Sequence, residues 1–168
     1  LGDWMIAPSK LPNGIRPLID LAHNNGMKFG IWIEPEMVNA PSELYEKHPD
    51  WVLRHPDFEP TYGRGKTQML LDLTNPKVQD HVFKVVDDLL TAYPDIYYIK
   101  WDNNMSMHNA HSQYLPTELQ SNLYVDFTLA LEKILKRIRA KYPNVVIQLC
   151  ASGGGRLNYG FMPYFQEM

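Results

Sequence analysis

The sequence predicts an α/β fold, a parallel sheet covered by helices, on the strength of three observations. Apolar runs at 27–33 (MKFGIWI), 96–101 (IYYIKW) and 145–149 (VVIQL) lack the strict alternation of a half-solvated strand. Amphipathic helical patterns stand before and between them, the arrangement of strand–crossover units. Polar residues gather directly after each run, where α/β proteins build their sites. A doubly wound open sheet and a (β/α)8 barrel both satisfy this pattern, and periodicity does not separate them.

The elements follow in order. After the Asn13-Gly14 turn, Ile15, Leu18, Ile19 and Ala22 fall on one helical face, and Asn24-Asn25-Gly26 ends that helix with a glycine suited to a left-handed cap. The 27–33 strand runs into Glu34-Pro35-Glu36, where proline stops the ladder. Residues 37–67 read as a long polar excursion, the kind of loop that carries function or disorder. Met69 to Leu73 is a short extended piece. Asn75-Pro76 then starts a helix with the stripe Val78, Val82, Val85, Val86 and Leu89. Thr117-x-x-Gln120 has the form of a capping box before a long helix buried through Leu119, Leu123, Phe127, Ala130, Ile134 and Ile138. No internal repeat or low-complexity segment interrupts this order.

Composition narrows the function classes. The 45% hydrophobic and 21% charged content is ordinary for a globular domain, and 168 residues suffice for one sizeable core. A net charge of −3 gives no reason to expect nucleic acid or an anionic membrane as partner. No apolar run approaches the roughly 20 residues that span a bilayer. The single cysteine, Cys150, excludes an internal disulfide. Leu1-Gly2-Asp3-Trp4 and Phe165-Gln166-Glu167-Met168 both read as cuts through a longer protein, so the compartment stays open, leaning to the cytoplasm. Aromatics at 12% serve equally a filled core or a sugar-stacking surface.

Lys100 and Asp102 are alternate residues at one strand end and point to one face. A lysine beside a carboxylate keeps it ionised, which suits a nucleophile, although an ordinary strand-end ion pair is the plainer reading. Glu34 and Glu36 fit either paired catalytic carboxylates or acids that cap neighbouring loops. His108-x-x-His111 has helical metal-pair spacing, but no supporting Cys or acid accompanies it, so solvated loop histidines are expected and no metal is implied. Ser152-Gly-Gly-Gly155-Arg156 lacks the Lys-Ser/Thr of a phosphate loop, and three glycines better serve close backbone approach to a ligand. Cys150 lacks a histidine in partner context, which favours a contact role.

The runs LGDW (1–4), MKFGIWIEPEMV (27–38), SELYEKHPDWVLR (42–54), LLDLTNP (70–76), YIKWD (98–102) and CASGGGR (150–156) together resemble glycoside hydrolase family 36, the microbial and plant α-galactosidases. The resemblance implies a (β/α)8 barrel, with these 168 residues as roughly its third to fifth β/α units, a single partial catalytic domain with two open strand edges. It implies retaining hydrolysis of terminal α-galactosyl residues on an oligosaccharide. Asp102 corresponds to the nucleophile, and Trp32, Lys66, Lys100, Asn104, Cys150 and Gly153 to sugar-contacting positions. Lys66 stands where the family usually has arginine, and Arg64 reaches that place through a one-residue shift. The chain also reads KWDNNM where the family commonly has KWDMNR, and Arg156-Leu157-Asn158 where it has RFD. The family's acid/base aspartate is expected shortly beyond Met168. No cofactor is implied, and assembly into a homo-oligomer is a family habit. α-N-acetylgalactosaminide hydrolysis, galactosyl transfer and sugar binding without catalysis are the competing readings.

Overall fold

The computed structural model describes residues 1–168, with the side chain of Arg64 outside the described set. Helix α1 spans Arg16–Asn24. Ile15 and Ile19, one turn apart, are buried and Ala22 is half-buried, but Leu18 is exposed. The buried stripe is narrower than the pattern implied because α1 packs chiefly on the single strand β1, Phe29–Ile33. Gly26 takes φ +71° and closes the helix, its N–H donating to the His23 carbonyl at 2.9 Å.

The expected unbroken excursion after β1 contains a strand. Met37–Asn39 (β2) pairs antiparallel with Gln68–Leu70 (β3) in a separate two-stranded ribbon, Val38 opposite Met69. β3 overlaps the extended piece expected at Met69 to Leu73, whereas β2 escapes sequence reading because its three residues, nearly all buried, leave no period to detect. Between them lies α2, Glu43–Lys47, its start held by the Ser42 hydroxyl accepting the Tyr45 N–H at 3.2 Å. The Asp3 carboxylate accepts the N–H groups of Glu43 and Leu44 at 3.1 and 2.8 Å, tying the N-terminal segment to the same cap. 3₁₀ turns follow at Pro49–Trp51 and Arg64–Lys66.

Helix α3, Pro76–Ala92, begins as expected: Asn75 accepts the Lys77 N–H at 3.0 Å and proline takes the first position. Its buried residues are Val78, Val82, Val86 and Leu90, with Val85 and Leu89 at the margin. Strand β4 is Ile96–Trp101, helix α4 Leu123–Lys141 and strand β5 Val146–Leu149. The capping box is not formed. Thr117–Asn122 is a 3₁₀ segment without a side-chain cap. The Gln120 amide is instead used by the preceding loop, donating to the Ser112 and Leu115 carbonyls at 2.9 and 2.7 Å. Leu119 is accordingly exposed, whereas Leu123, Phe127, Ala130, Ile134 and Ile138 are buried as expected, joined by Leu131 and Leu135.

The main sheet has the order β1-β4-β5, all parallel, with Trp32 opposite Lys100 and Lys100 opposite Gln148. Ile33, Ile99, Trp101, Ile147 and Leu149 are buried in one core with Val82 and Val86 of α3 and Ile134 and Leu135 of α4. The alternate positions Trp32, Lys100 and Gln148 stand on the opposite face, exposed or half-buried, with no helix over them. Among the described residues the helices therefore cover one face of the sheet. The outer edge of β5 is not open either. Gln166 donates its N–H to the Ile147 carbonyl, and the Glu167 carbonyl accepts the Leu149 N–H at 2.9 Å, so the last residues lie along it. No helix among the described residues is long and apolar enough to cross a membrane.

Candidate active site

The parallel ladder aligns the carboxyl ends of β1, β4 and β5, and the residues just past them converge. Asp102 follows β4, and its backbone N–H continues the ladder to the Ile33 carbonyl at 2.9 Å. The residue is 6% exposed. Oδ2 accepts the Trp32 indole N–H at 3.0 Å and Oδ1 accepts the Asn103 N–H at 3.0 Å. Burial pushes the Asp102 carboxyl upward, but hydrogen bonds from the side chains of Trp32, Asn104 and Cys150 and from the Asn103 N–H outweigh it. They hold the group below the usual aspartate value. Asp102 is thus an anion with fixed oxygens at the rim of the uncovered sheet face.

Lys100 does not do this. It is half-buried, and among the described residues it forms no ion pair with Asp102. The indole of its register partner Trp32 makes the contact instead, so hydrogen bonding replaces the expected charge pairing. Trp32 remains 41% exposed, with Trp4 tilted against its ring at 6.1 Å.

Asn104 donates both its backbone N–H and its Nδ2 to Glu34 Oε1, at 2.6 and 3.0 Å, and its Oδ1 accepts the Ser152 hydroxyl at 3.2 Å. Cys150 closes β5, its N–H on the Trp101 carbonyl at 2.8 Å and its own carbonyl accepting the Asn103 N–H at 3.0 Å. Gly153, at φ +96°, sits at the exposed tip of the following loop, with no neighbouring atom within 4 Å of where a Cβ would stand. The loop is tight elsewhere: a Cβ on Gly155 would stand 2.7 Å from the Ala151 carbonyl oxygen. A cleft of about 150 Å³ lies between residues 103–106 and 151–156, smaller than most ligand sites. Larger hollows of about 460 and 520 Å³ lie under the Trp4–Ile6 segment and contain none of these groups.

Lys66 is not brought to the cluster. It is exposed at φ +55°, and its ammonium makes no hydrogen bond or ion pair among the described residues. The Arg64 alternative lies outside the described residues. The Lys66 turn nevertheless borders the site, because at Gly63 the chain runs alongside Gln68 and Met105. The histidine expectation also changes: His108 is exposed, but His111 is half-buried, edge-on to His55 at 5.7 Å.

Glu34 and Glu36 act as loop anchors, one of the two alternatives left open by the sequence. Glu34 Oε2 accepts Gln68 Nε2 at 2.8 Å. Glu36, fully buried, accepts Trp101 Nε1 at 2.8 Å and Arg156 Nη1 at 2.6 Å on Oε1, and Asn103 Nδ2 at 3.2 Å on Oε2. Gln68, Asn103 and Arg156 were not among the predicted site residues. For Arg156 a signal existed: a lone basic residue ending a glycine run, facing a chain with two unexplained acids.

Fold and site together define an α/β protein with a carboxylate-centred site at the carboxyl ends of its parallel strands. Within that class the chain belongs to the Melibiase family, whose model matches residues 1–168. It is 41% identical over 167 residues to alpha-galactosidase 2 of Pediococcus pentosaceus, covering 99% of this chain and 23% of that protein. Among solved structures it resembles the family 36 α-galactosidase AgaA of Geobacillus stearothermophilus, with a TM-score of 0.91 at 37% identity, over 98% of this chain and 23% of that one. The α-galactosidase of Lactobacillus brevis gives 0.90 at 39% identity, over 97% of this chain and 22% of that one. Variants of the Geobacillus enzyme have been crystallised with stachyose and with raffinose. The chain spans about a quarter of the length of the relatives it matches.

Proposed function

We propose that this chain is the nucleophile-bearing part of a retaining α-galactosidase, a partial catalytic domain contributing roughly the third to fifth units of a (β/α)8 barrel. The observation that carries the reading is Asp102, buried, held ionised by donors that include the Trp32 indole and the Asn103 N–H, and set at a strand end beside an uncovered sheet face. A barrel accounts for that face, since its interior is lined by the alternate strand residues that no helix covers. The substrate is an oligosaccharide ending in α-galactose, the class to which raffinose and stachyose belong.

In the first step an Asp102 oxygen attacks the anomeric carbon as the glycosidic C–O bond breaks, and a carboxylic acid protonates the departing oxygen. Water then attacks the same carbon, giving its proton to that carboxylate and freeing Asp102, with net retention. Glu34 and Glu36 are engaged by donors on both oxygens and serve as anchors, while the family resemblance implies an aspartate shortly beyond Met168 as the acid. Trp32 offers its exposed ring to the sugar while its N–H holds Asp102. Lys100 and Asn104 supply hydroxyl contacts, Cys150 and Gly153 line the loop side, and Lys66 stands outside the cluster, at the rim on the turn beside Gly63.

The test uses the full-length protein and a galactose-configured covalent inactivator, with the labelled peptide located by mass spectrometry. The expected label is on Asp102, and Asp102→Ala is expected to abolish turnover of an α-galactoside. A label elsewhere, or turnover surviving the substitution, removes the assignment.

A further inference from the structure

Nothing in the scheme above uses the most deeply buried charged pair near the site. Glu36 is fully buried and its partner Arg156 is largely so, with side-chain exposures of 0% and 17%. Burying such a pair carries a desolvation penalty that well-packed apolar residues avoid, so its presence calls for a role in arrangement.

The partners of Glu36 indicate what is arranged. Trp101 immediately precedes Asp102 and Asn103 immediately follows it, and both donate to this one carboxylate. The third donor, Arg156, ends the glycine loop, and its Nη2 lies 3.5 Å from the Cys150 carbonyl. That carbonyl in turn accepts the Asn103 N–H at 3.0 Å. Glu36, Asn103, Cys150 and Arg156 therefore form a closed ring of contacts around the backbone that carries Asp102. Asp102 cannot shift against the Cys150 loop without opening it.

We propose that Glu36 and Arg156 are positioning residues for the glycosidase reaction, clamping the two neighbours of Asp102 and the glycine loop into the geometry that nucleophilic attack requires. This rests on the α-galactosidase reading. Neither residue touches the sugar; both act through Asp102 and Cys150. Misplacement of a reacting atom by about 1 Å lowers rates by about a hundredfold, so the effect belongs in the chemical step and not in ground-state binding.

The test is Glu36→Gln in the full-length protein, with rates normalised to the fraction of molecules that bind galactose. The expected result is a fall in kcat of about a hundredfold, with galactose affinity changed less than about threefold. The double variant E36Q/N103D reverses the direction of one ring hydrogen bond and restores a carboxylate to the ring, and is expected to recover at least about tenfold of the loss. Arg156→Lys leaves the grip of Glu36 on Trp101 and Asn103 in place and serves if Glu36→Gln does not fold. It is expected to lower kcat by about tenfold, again with galactose binding retained. Unchanged kcat in folded E36Q or R156K overturns the proposal, as does a loss of binding and rate together that the double variant does not repair. A wild-type protein that binds galactose but hydrolyses no α-galactoside overturns the underlying reading instead.

Discussion

Replacing Trp32 with phenylalanine keeps an aromatic face for the sugar and removes the indole N–H that donates to Asp102 Oδ2 at 3.0 Å. A hydrogen bond to a charged group contributes about 1.5–3 kcal/mol. Asn104, Cys150 and the Asn103 N–H continue to hold the carboxylate, so it is expected to rise part of the way back toward the ordinary aspartate value. The direction follows from the native state. Asp102 is depressed, so its hydrogen bonds stabilise the fold above the ordinary aspartate value of about 3.9. That contribution is lost as pH falls through the native value. Trp32→Phe surrenders part of it at neutral pH and nothing in strong acid. The assay is kcat/KM for a chromogenic α-galactoside from about pH 3 to about pH 7, whose acid limb reports the free enzyme's essential base. The limb should move to higher pH, so the variant loses activity first on the acid side. An acid limb that stays where it was refutes the claim that the indole sets the ionisation of Asp102.

Two further outcomes are expected. Gly155→Ala brings a methyl to 2.7 Å from the Ala151 carbonyl oxygen, which forces the loop after Cys150 to move. It should lower kcat/KM by about tenfold with little change in melting temperature, because the loop lies outside the core. Ile134→Ala, by contrast, empties a fully buried position on α4 and should cost about 2–5 kcal/mol in a denaturant titration, leaving kcat/KM of the folded fraction unchanged.

The units that build the sheet were legible because each signal was local. Pro76 at a helix start, the left-handed Gly26 and the runs ending at Ile33, Trp101 and Leu149 all announce themselves within a few residues. Asp102 was found through a motif and its position after a strand. What failed were statements about partners. Lys100 stands two residues from Asp102 in the chain, yet the side chain seen donating to the carboxylate is that of Trp32, 70 residues away. Gln120 has capping-box spacing but is drawn to the Ser112–Leu115 loop. Glu36 finds Arg156 across 120 residues. Sequence spacing ranks neighbours along the chain, whereas buried polar groups take whichever donor the packing delivers.

The turn after β1 also bears on how such a protein changes over time. Glu34 and Glu36, two residues apart, secure everything around Asp102 from a single point of the backbone. Among the described residues, the stretch from His55 to Lys66 is tied to the rest through the Gly63 N–H on the Gln68 carbonyl at 2.8 Å, the Thr61 hydroxyl on the His108 carbonyl at 3.0 Å and the edge-on contact of His55 with His111. Anchorage and reach are thus assigned to different parts of one chain. A change in length or charge along that stretch leaves untouched the hydrogen bonds of Glu34 and Glu36 that hold the surroundings of the carboxylate.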